Sequence, residues 1–283
     1  MRRTLAVLAA AVVAVLGLAA PAPAGDLELP PLFTAEGDPP GANDWSCVPT
    51  AEHPTPVILV HGTFGDRKHL LERLSKKVHE AGFCVFSLDY GNRATRDIRQ
   101  SAQELADHTQ RVLAATGAAK VSMVGHSQGG MMPRYYLKFL GGDQYVEDLV
   151  GVAPSNQGGT GFTSGANVDN PVSELVGQLC QACLQQNPGS EFMTELNAGD
   201  QTPGEVSYTQ IATRYDELVQ PVSNAFLTPG PNTTNLVIQD ICRLDLAEHL
   251  LIPSSPTTIR IVLDALNRPG PARQDFPRGC KFN

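Results

Sequence analysis

Gly125-His126-Ser127-Gln128-Gly129 constrains this chain more than any other stretch, because it lies between a strand-like apolar run and a helix-prone run. Val121-Ser122-Met123-Val124 leads in, and Gly130-Met131-Met132 through Tyr136-Leu137-Lys138-Phe139-Leu140 leads out with helical spacing of its large residues. Glycines on both sides of the serine let the backbone reverse sharply without side-chain clash. The pattern therefore predicts a strand-to-helix elbow with the Ser127 hydroxyl at its exposed tip. Pro133 suits the helix that follows because it falls in the first turn, where few backbone donors have partners inside the helix. Such an elbow needs a strand behind it and a helix ahead, which commits the chain to an α/β architecture.

The rest of the sequence alternates accordingly. Strands are expected over Val57 to Val60, Cys84 to Leu88, Val121 to Val124, Val146 to Val152, Val206 to Ile211 and Leu236 to Ile241. Between the first two, Asp66 can cap a helix whose apolar face is Leu70, Leu71, Leu74, Val78 and Ala81, stopped by Gly82. Between the next two, Ile98, Ala102, Leu105, Thr109, Val112 and Leu113 keep helical spacing until Gly117. Alternation of this kind predicts a mainly parallel central sheet with helices on both faces. About 154–203 breaks the rhythm: it is rich in Gly, Asn and Ser before an amphipathic patch at Val172, Leu175, Val176, Leu179, Ala182 and Leu184. It reads as a helical, lid-like insertion over the carboxyl edge of the sheet, offering apolar walls to an acyl chain. Phe64, Phe162 and Leu250 are the substrate-binding candidates, with Phe192, Met193, Phe226 and Leu251 as further pocket candidates.

A serine on an elbow becomes a nucleophile only with a base, and the hydrolase version places an acid and then a histidine after the serine. Of seven histidines, His249 alone follows Ser127. Seven aspartates lie between them, and reacting groups collect at the carboxyl ends of strands in parallel sheets. Asp216 follows the Val206 to Ile211 run within five residues and is the expected acid, with Glu217 as the nearest substitute. The expected oxyanion donors are the backbone N–H groups of Thr63, on the glycine loop His61-Gly62-Thr63-Phe64-Gly65, and of Gln128. The Thr63 hydroxyl is a third candidate and the Phe64 N–H a fallback, while His61 reads as a structural loop histidine.

These residues resemble the α/β-hydrolase lipases, in particular the secreted bacterial class 2 lipases and the lipase B subgroup. The resemblance rests on Gly41-Ala42-Asn43-Asp44-Trp45-Ser46-Cys47, on Pro56-Val57-Ile58-Leu59-Val60-His61-Gly62-Thr63, and on the elbow with its Ser-Gln-Gly-Gly. Tyr215-Asp216-Glu217-Leu218-Val219-Gln220-Pro221 and His249 complete it. It spans most of the chain beyond the N-terminal leader and implies an acid at Asp216 and a base at His249. One departure is Gly125-His126-Ser127, where lipase B-like members carry Thr-Trp-Ser.

The N-terminus reads as a secretory signal over residues 1–24, with Arg2 and Arg3, an apolar stretch from Leu5 to Leu18, and Ala22-Pro23-Ala24 at the cleavage site. Cleavage after Ala24 would leave residues 25–283 as one α/β-hydrolase domain, secreted and without a membrane span. All six cysteines follow the leader, and an even count in an exported chain implies disulfides, of which 15 connectivities are open. The resemblance favours Cys47 with Cys84, and the least tangled completion pairs Cys242 with Cys280 and Cys180 with Cys183. The formal net charge of −8 argues against nucleic acid or anionic membranes as partners.

The expected activity is hydrolysis of lipid esters of the triacylglycerol type through an acyl-enzyme, by a monomer that meets its substrate at a lipid–water interface. The triad needs no metal or organic cofactor. A short-chain esterase or polyester depolymerase is the alternative, since the same triad serves each. A serine peptidase would need a peptide cleft that the sequence does not display. A non-catalytic binding protein of the same fold would usually lack a triad member, and none is missing.

Overall fold

The computed structural model describes residues 37–159 and 178–281. The leader at 1–24, Phe162, and Val172, Leu175 and Val176 of the insertion lie outside them. Six apolar or β-branched runs form the strands β1 (Val57–Val60), β2 (Val85–Leu88), β3 (Val121–His126), β4 (Val146–Val152), β5 (Ser207–Ala212) and β6 (Thr233–Val237). They pair in parallel throughout, in the order β2-β1-β3-β4-β5-β6. β1 is buried along its whole length and its side chains alternate between two cores. Ile58 and Val60 pack on one face of the sheet, Val57 and Leu59 on the other. A strand apolar at every position is what a sheet covered on both sides requires.

The long helices supply those covers. They are α1 (Glu72–Glu80), α2 (Ile98–Thr116), α3 (Pro133–Phe139), α4 (Gln181–Gln185), α5 (Glu191–Asn197) and α6 (Pro256–Leu266). Ile98, Ala102, Leu105 and Val112 of α2 join the first core with Tyr136 and Leu137 of α3. Leu74 and Val78 of α1 join the second with Ile259 and Val262 of α6. α2 starts on the Asp97 carboxylate, which accepts the Arg99 N–H at 2.7 Å, and stops at Gly117, whose φ of +68° suits glycine.

Several expectations shift against these bounds. β6 lies earlier than Leu236 to Ile241, because it pairs with β5 only from Tyr208↔Thr233 to Ala212↔Val237. The pairing with β5 ends at Val237, and Ile238–Ile241 close a helical turn instead. α1 starts at Glu72, not at an Asp66 cap. The Asp66 carboxylate instead accepts the N–H groups of Lys68 and His69 in a separate turn, and Leu70, at φ +67°, cannot join a right-handed helix. In the insertion, Ala182, Cys183, Phe192, Met193 and Leu196 belong to the first core. This part is packed onto the sheet's cover, so Phe192 and Met193 are core and not pocket.

Three disulfides join Cys47 to Cys84, Cys180 to Cys183 and Cys242 to Cys280. The third closes a span of 38 residues that contains His249, a constraint worth roughly 4 kcal/mol on the chain-entropy account. Among the described residues, no helix is long and apolar enough to cross a membrane.

One buried carboxylate sits at the amino end of the sheet. Asp148 on β4 accepts the Ser122 hydroxyl of β3 at 2.8 Å, and burial pushes its pKa up to about 7 against the pull of that hydrogen bond. A carboxyl whose folded pKa lies above its unfolded value favours folding while protonated, and that contribution is lost as pH rises through about 7. Asp148→Asn keeps the acceptor for Ser122 and removes the charge. Thermal unfolding should show the variant gaining more in Tm at pH 8 than at pH 5, and an equal shift at both would remove Asp148 as the cause.

Candidate active site

The strand order reverses between β1 and β3, since the chain runs outward from β1 to β2 and then crosses back to the other side of β1. Such a switch point opens a crevice at the carboxyl ends of the two strands. Gly62 and Thr63 leave β1 there, and Ser127 leaves β3.

Ser127 has φ +56° and ψ −123°, a conformation that a side chain pays for in strain, and its own N–H donates to Val152 O at 2.9 Å. The two flanking glycines make that turn sterically feasible. A Cβ on Gly125 would lie 1.8 Å from Gly129 O, and one on Gly129 would lie 2.3 Å from both Val60 O and His61 O.

Two loops farther along the sheet bring in the partners. Asp216 follows β5 and His249 lies in the long connection after β6. His249 Nε2 stands 3.0 Å from Ser127 Oγ, and Nδ1 stands 2.8 Å and 3.0 Å from the Asp216 carboxylate oxygens. All three side chains are buried. Asp216 Oδ1 also accepts the N–H groups of Leu218 and Val219, at 2.9 Å and 2.7 Å, which fix the carboxylate in place. With Nδ1–H donating to Asp216, Nε2 is left as the acceptor for the Ser127 hydroxyl.

Four of the competing acids are engaged elsewhere. Asp245 accepts the Ser255 hydroxyl, Asp240 pairs with Arg214, and Asp148 faces Ser122. Asp200 accepts the Thr202 N–H, and Asp169 lies outside the described residues. Glu217 Oε2 lies 3.4 Å from the backbone N of His249, not at its ring, and burial raises the carboxyl's pKa.

Thr63 and Gln128 face each other across the crevice, the Thr63 hydroxyl donating to Gln128 Oε1 at 2.7 Å. That hydroxyl is therefore engaged with a protein acceptor. The N–H of Phe64 donates to Arg93 O at 2.8 Å, so it is not free to serve as the fallback donor. The N–H groups of Thr63 and Gln128 have no acceptor among the described residues. Gln128 opens a helical turn, where an unpaired N–H and the helix dipole both favour negative charge.

A pocket of about 180 Å³ opens above Ser127 and His249. Phe64, Leu70, Leu218 and Leu250 give it apolar walls. Phe64 and Leu250 thus stand where a substrate could meet them. Leu251 is exposed, and Phe226 packs in a separate small cluster with Ala212, Val219 and Ala225.

Sequence reasoning gave no role to several residues that hold this arrangement. His126 Nε2 donates to the backbone carbonyl of His249 at 2.8 Å, and the two rings lie 4.9 Å apart. The Thr213 hydroxyl donates to Ala247 O and Gln239 Nε2 to Asp245 O, pinning the loop that carries His249. Burial lowers the pKa of His61 to about 4 and of His126 to about 3. Both rings are neutral at pH 7 and put no positive charge beside His249. His61 stacks on Tyr90 at 4.4 Å and its Nδ1 donates to Gly62 O, a structural histidine in its loop.

Comparison with known proteins follows the same lines. The model of the family "Lipase (class 2)" matches residues 54–257. A triacylglycerol lipase of Pseudarthrobacter phenanthrenivorans is 37% identical over 92 residues, covering 28% of this chain and 27% of that protein. One of Burkholderia plantarii is likewise 37% identical over 92 residues, covering 28% and 24%. The matched stretch thus spans about a quarter of these curated relatives. Among solved structures, Aspergillus fumigatus lipase B superposes with a TM-score of 0.67 at 21% identity, covering 91% of this chain and 65% of its own. Mature Bacillus licheniformis lipase BlEst2 superposes at 0.58 with 18% identity, covering 77% and 94%. At such identities the likeness is one of fold. With the family model covering well over half of its length, this chain belongs to the class 2 lipases and has the α/β-hydrolase fold.

Proposed function

We propose that this protein hydrolyses carboxylic esters of lipids through an acyl-enzyme on Ser127. The observation that carries the reading is the unbroken line from the Asp216 carboxylate through the His249 ring to the Ser127 hydroxyl, beneath an apolar pocket. His249 Nε2 takes the hydroxyl proton as Oγ forms a bond to the ester carbon. The carbonyl oxygen becomes an oxyanion held by the N–H groups of Thr63 and Gln128. His249 then gives its proton to the departing alcohol oxygen as the ester C–O bond breaks. Water enters, loses a proton to His249 and attacks the acyl group, and Oγ recovers the proton as the acid leaves. Asp216 stays ionised throughout and stabilises the imidazolium at each turn.

Pocket size favours a second reading within the same chemistry. About 180 Å³ is close to the cavity volume that accommodates a benzene-sized group, so a short acyl chain fits inside it. A long chain would have to extend over the rim, where Leu250 and Leu251 are exposed and suit contact with a lipid phase. Export belongs to the same proposal, supported by three disulfides, which persist in oxidising compartments, and by the Arg2-Arg3 and Ala22-Pro23-Ala24 leader pattern.

Ser127→Ala should abolish p-nitrophenyl butyrate hydrolysis and labelling by a fluorophosphonate, with Asp216→Asn lowering kcat on the order of 10⁴-fold. Retention of normal turnover by Ser127→Ala would refute the mechanism. In a series of p-nitrophenyl esters from acetate to palmitate, kcat/KM should peak at short to middle acyl lengths; a maximum at palmitate would count against the small pocket as the acyl site.

A further inference from the structure

Gln186 is buried in the part of the insertion that packs on the core, just past the end of α4. Its side-chain Nε2 lies 3.0 Å from Thr63 Oγ1, 3.1 Å from Gln128 Oε1 and 3.2 Å from Ala182 O. Its Oε1 accepts the Ser155 hydroxyl at 2.8 Å. Thr63 and Gln128 belong to loops 65 residues apart in sequence, and this one amide reaches both. We infer that Gln186 is a positioning residue that holds the two oxyanion-binding loops at a fixed separation. The inference rests on the reading of the Thr63 and Gln128 N–H groups as the oxyanion donors.

The chemistry of the contact requires a carboxamide. Gln128 Oε1 already receives the Thr63 hydroxyl, so the group facing it must be a donor, and Gln186 supplies two hydrogens there. On its other side the same residue must be an acceptor for Ser155. A carboxylate would set oxygen against oxygen at Gln128, and a thioether would fill the volume with no donor.

The mount is correspondingly firm. The Gln186 N–H donates to Ala182 O and the Gln186 carbonyl accepts the Gly159 N–H, each at 3.0 Å. One turn earlier the chain is cross-linked by Cys180–Cys183, and the neighbouring Gln185 side chain accepts the Ile98 N–H at the start of α2. Gln186 is thereby referenced to the core and not to solvent. An oxyanion donor acts only where the developing charge lies within hydrogen-bond reach, and a displacement of about an ångström can cost on the order of a hundredfold.

The test measures turnover per active site. Wild type, Gln186→Met, Gln186→Glu and Ser155→Ala are titrated to completion with a fluorophosphonate, and kcat and KM for p-nitrophenyl butyrate are referred to the labelled fraction. Gln186→Met should lower kcat per labelled site about 10- to 100-fold with KM within about twofold, and Gln186→Glu should lower it at least as far. A purely structural role would instead reduce the labelled fraction and the Tm while leaving kcat per labelled site unchanged, and that result would overturn the inference. Should Gln186→Met not fold, Ser155→Ala decides: it frees the carbonyl end of Gln186 and should lower kcat per labelled site several-fold, whereas wild-type turnover would reject the role. Wild type that fails to label, or Ser127→Ala that still turns over, would sink the ester-hydrolase reading and this inference with it. Labelled, active wild type with an equally active Gln186→Met would sink this inference alone.

Discussion

One imidazole ring holds this site together. His249 is hydrogen-bonded at Nδ1 to Asp216 and at Nε2 to Ser127, so three loops that leave different parts of the sheet must arrive at one point. The parallel sheet makes that arrival feasible, because every strand delivers its carboxyl end to the same edge. Much of the surrounding structure can be understood as fixing the ring. His126 holds the His249 carbonyl, Thr213 and Gln239 hold the preceding loop, and Cys242–Cys280 closes the segment covalently.

The elbow shows how local cost and global support are matched. Ser127 stands at positive φ, where a side chain costs about 1–3 kcal/mol. The neighbouring strands leave it no alternative, since Gly125 and Gly129 lie in contact too close for any Cβ and the Ser127 N–H is fixed to β4. Strain concentrated at one residue and borne by two buried cores is stable only while those cores stay packed, which fits a β1 apolar at every position and a β3 buried along its whole length.

Features with a local steric or periodic cause were legible in the sequence. The elbow announced itself through its glycines, α2 through its spacing and Gly117, and β1 through four apolar residues in a row. His249 could be singled out because chain order left no other histidine, and Asp216 because it trails a strand. What depends on neighbours remote in sequence was not legible. The polar pair Thr233-Thr234 starts β6 because β5 lies alongside, while the more apolar Ile238 and Ile241 fall past the end of that pairing and turn. Leu70 had the spacing of a helix face, yet tertiary packing holds it in a left-handed conformation at the pocket wall. Gln186 carried no signal at all, since a glutamine within an irregular insertion acquires meaning only from the two loops it meets.

The all-parallel sheet divides the molecule into two edges with unequal freedom. The groups that carry the chemistry sit at or beyond the carboxyl ends, whereas the amino ends begin after exposed or half-buried connections such as 117–120. Chain added to the connections at that far edge enters the fold a full strand length away from the crevice. The fold thereby separates the surface on which sequence can drift, or on which a fusion partner can be grafted, from the surface on which a few tenths of an ångström count.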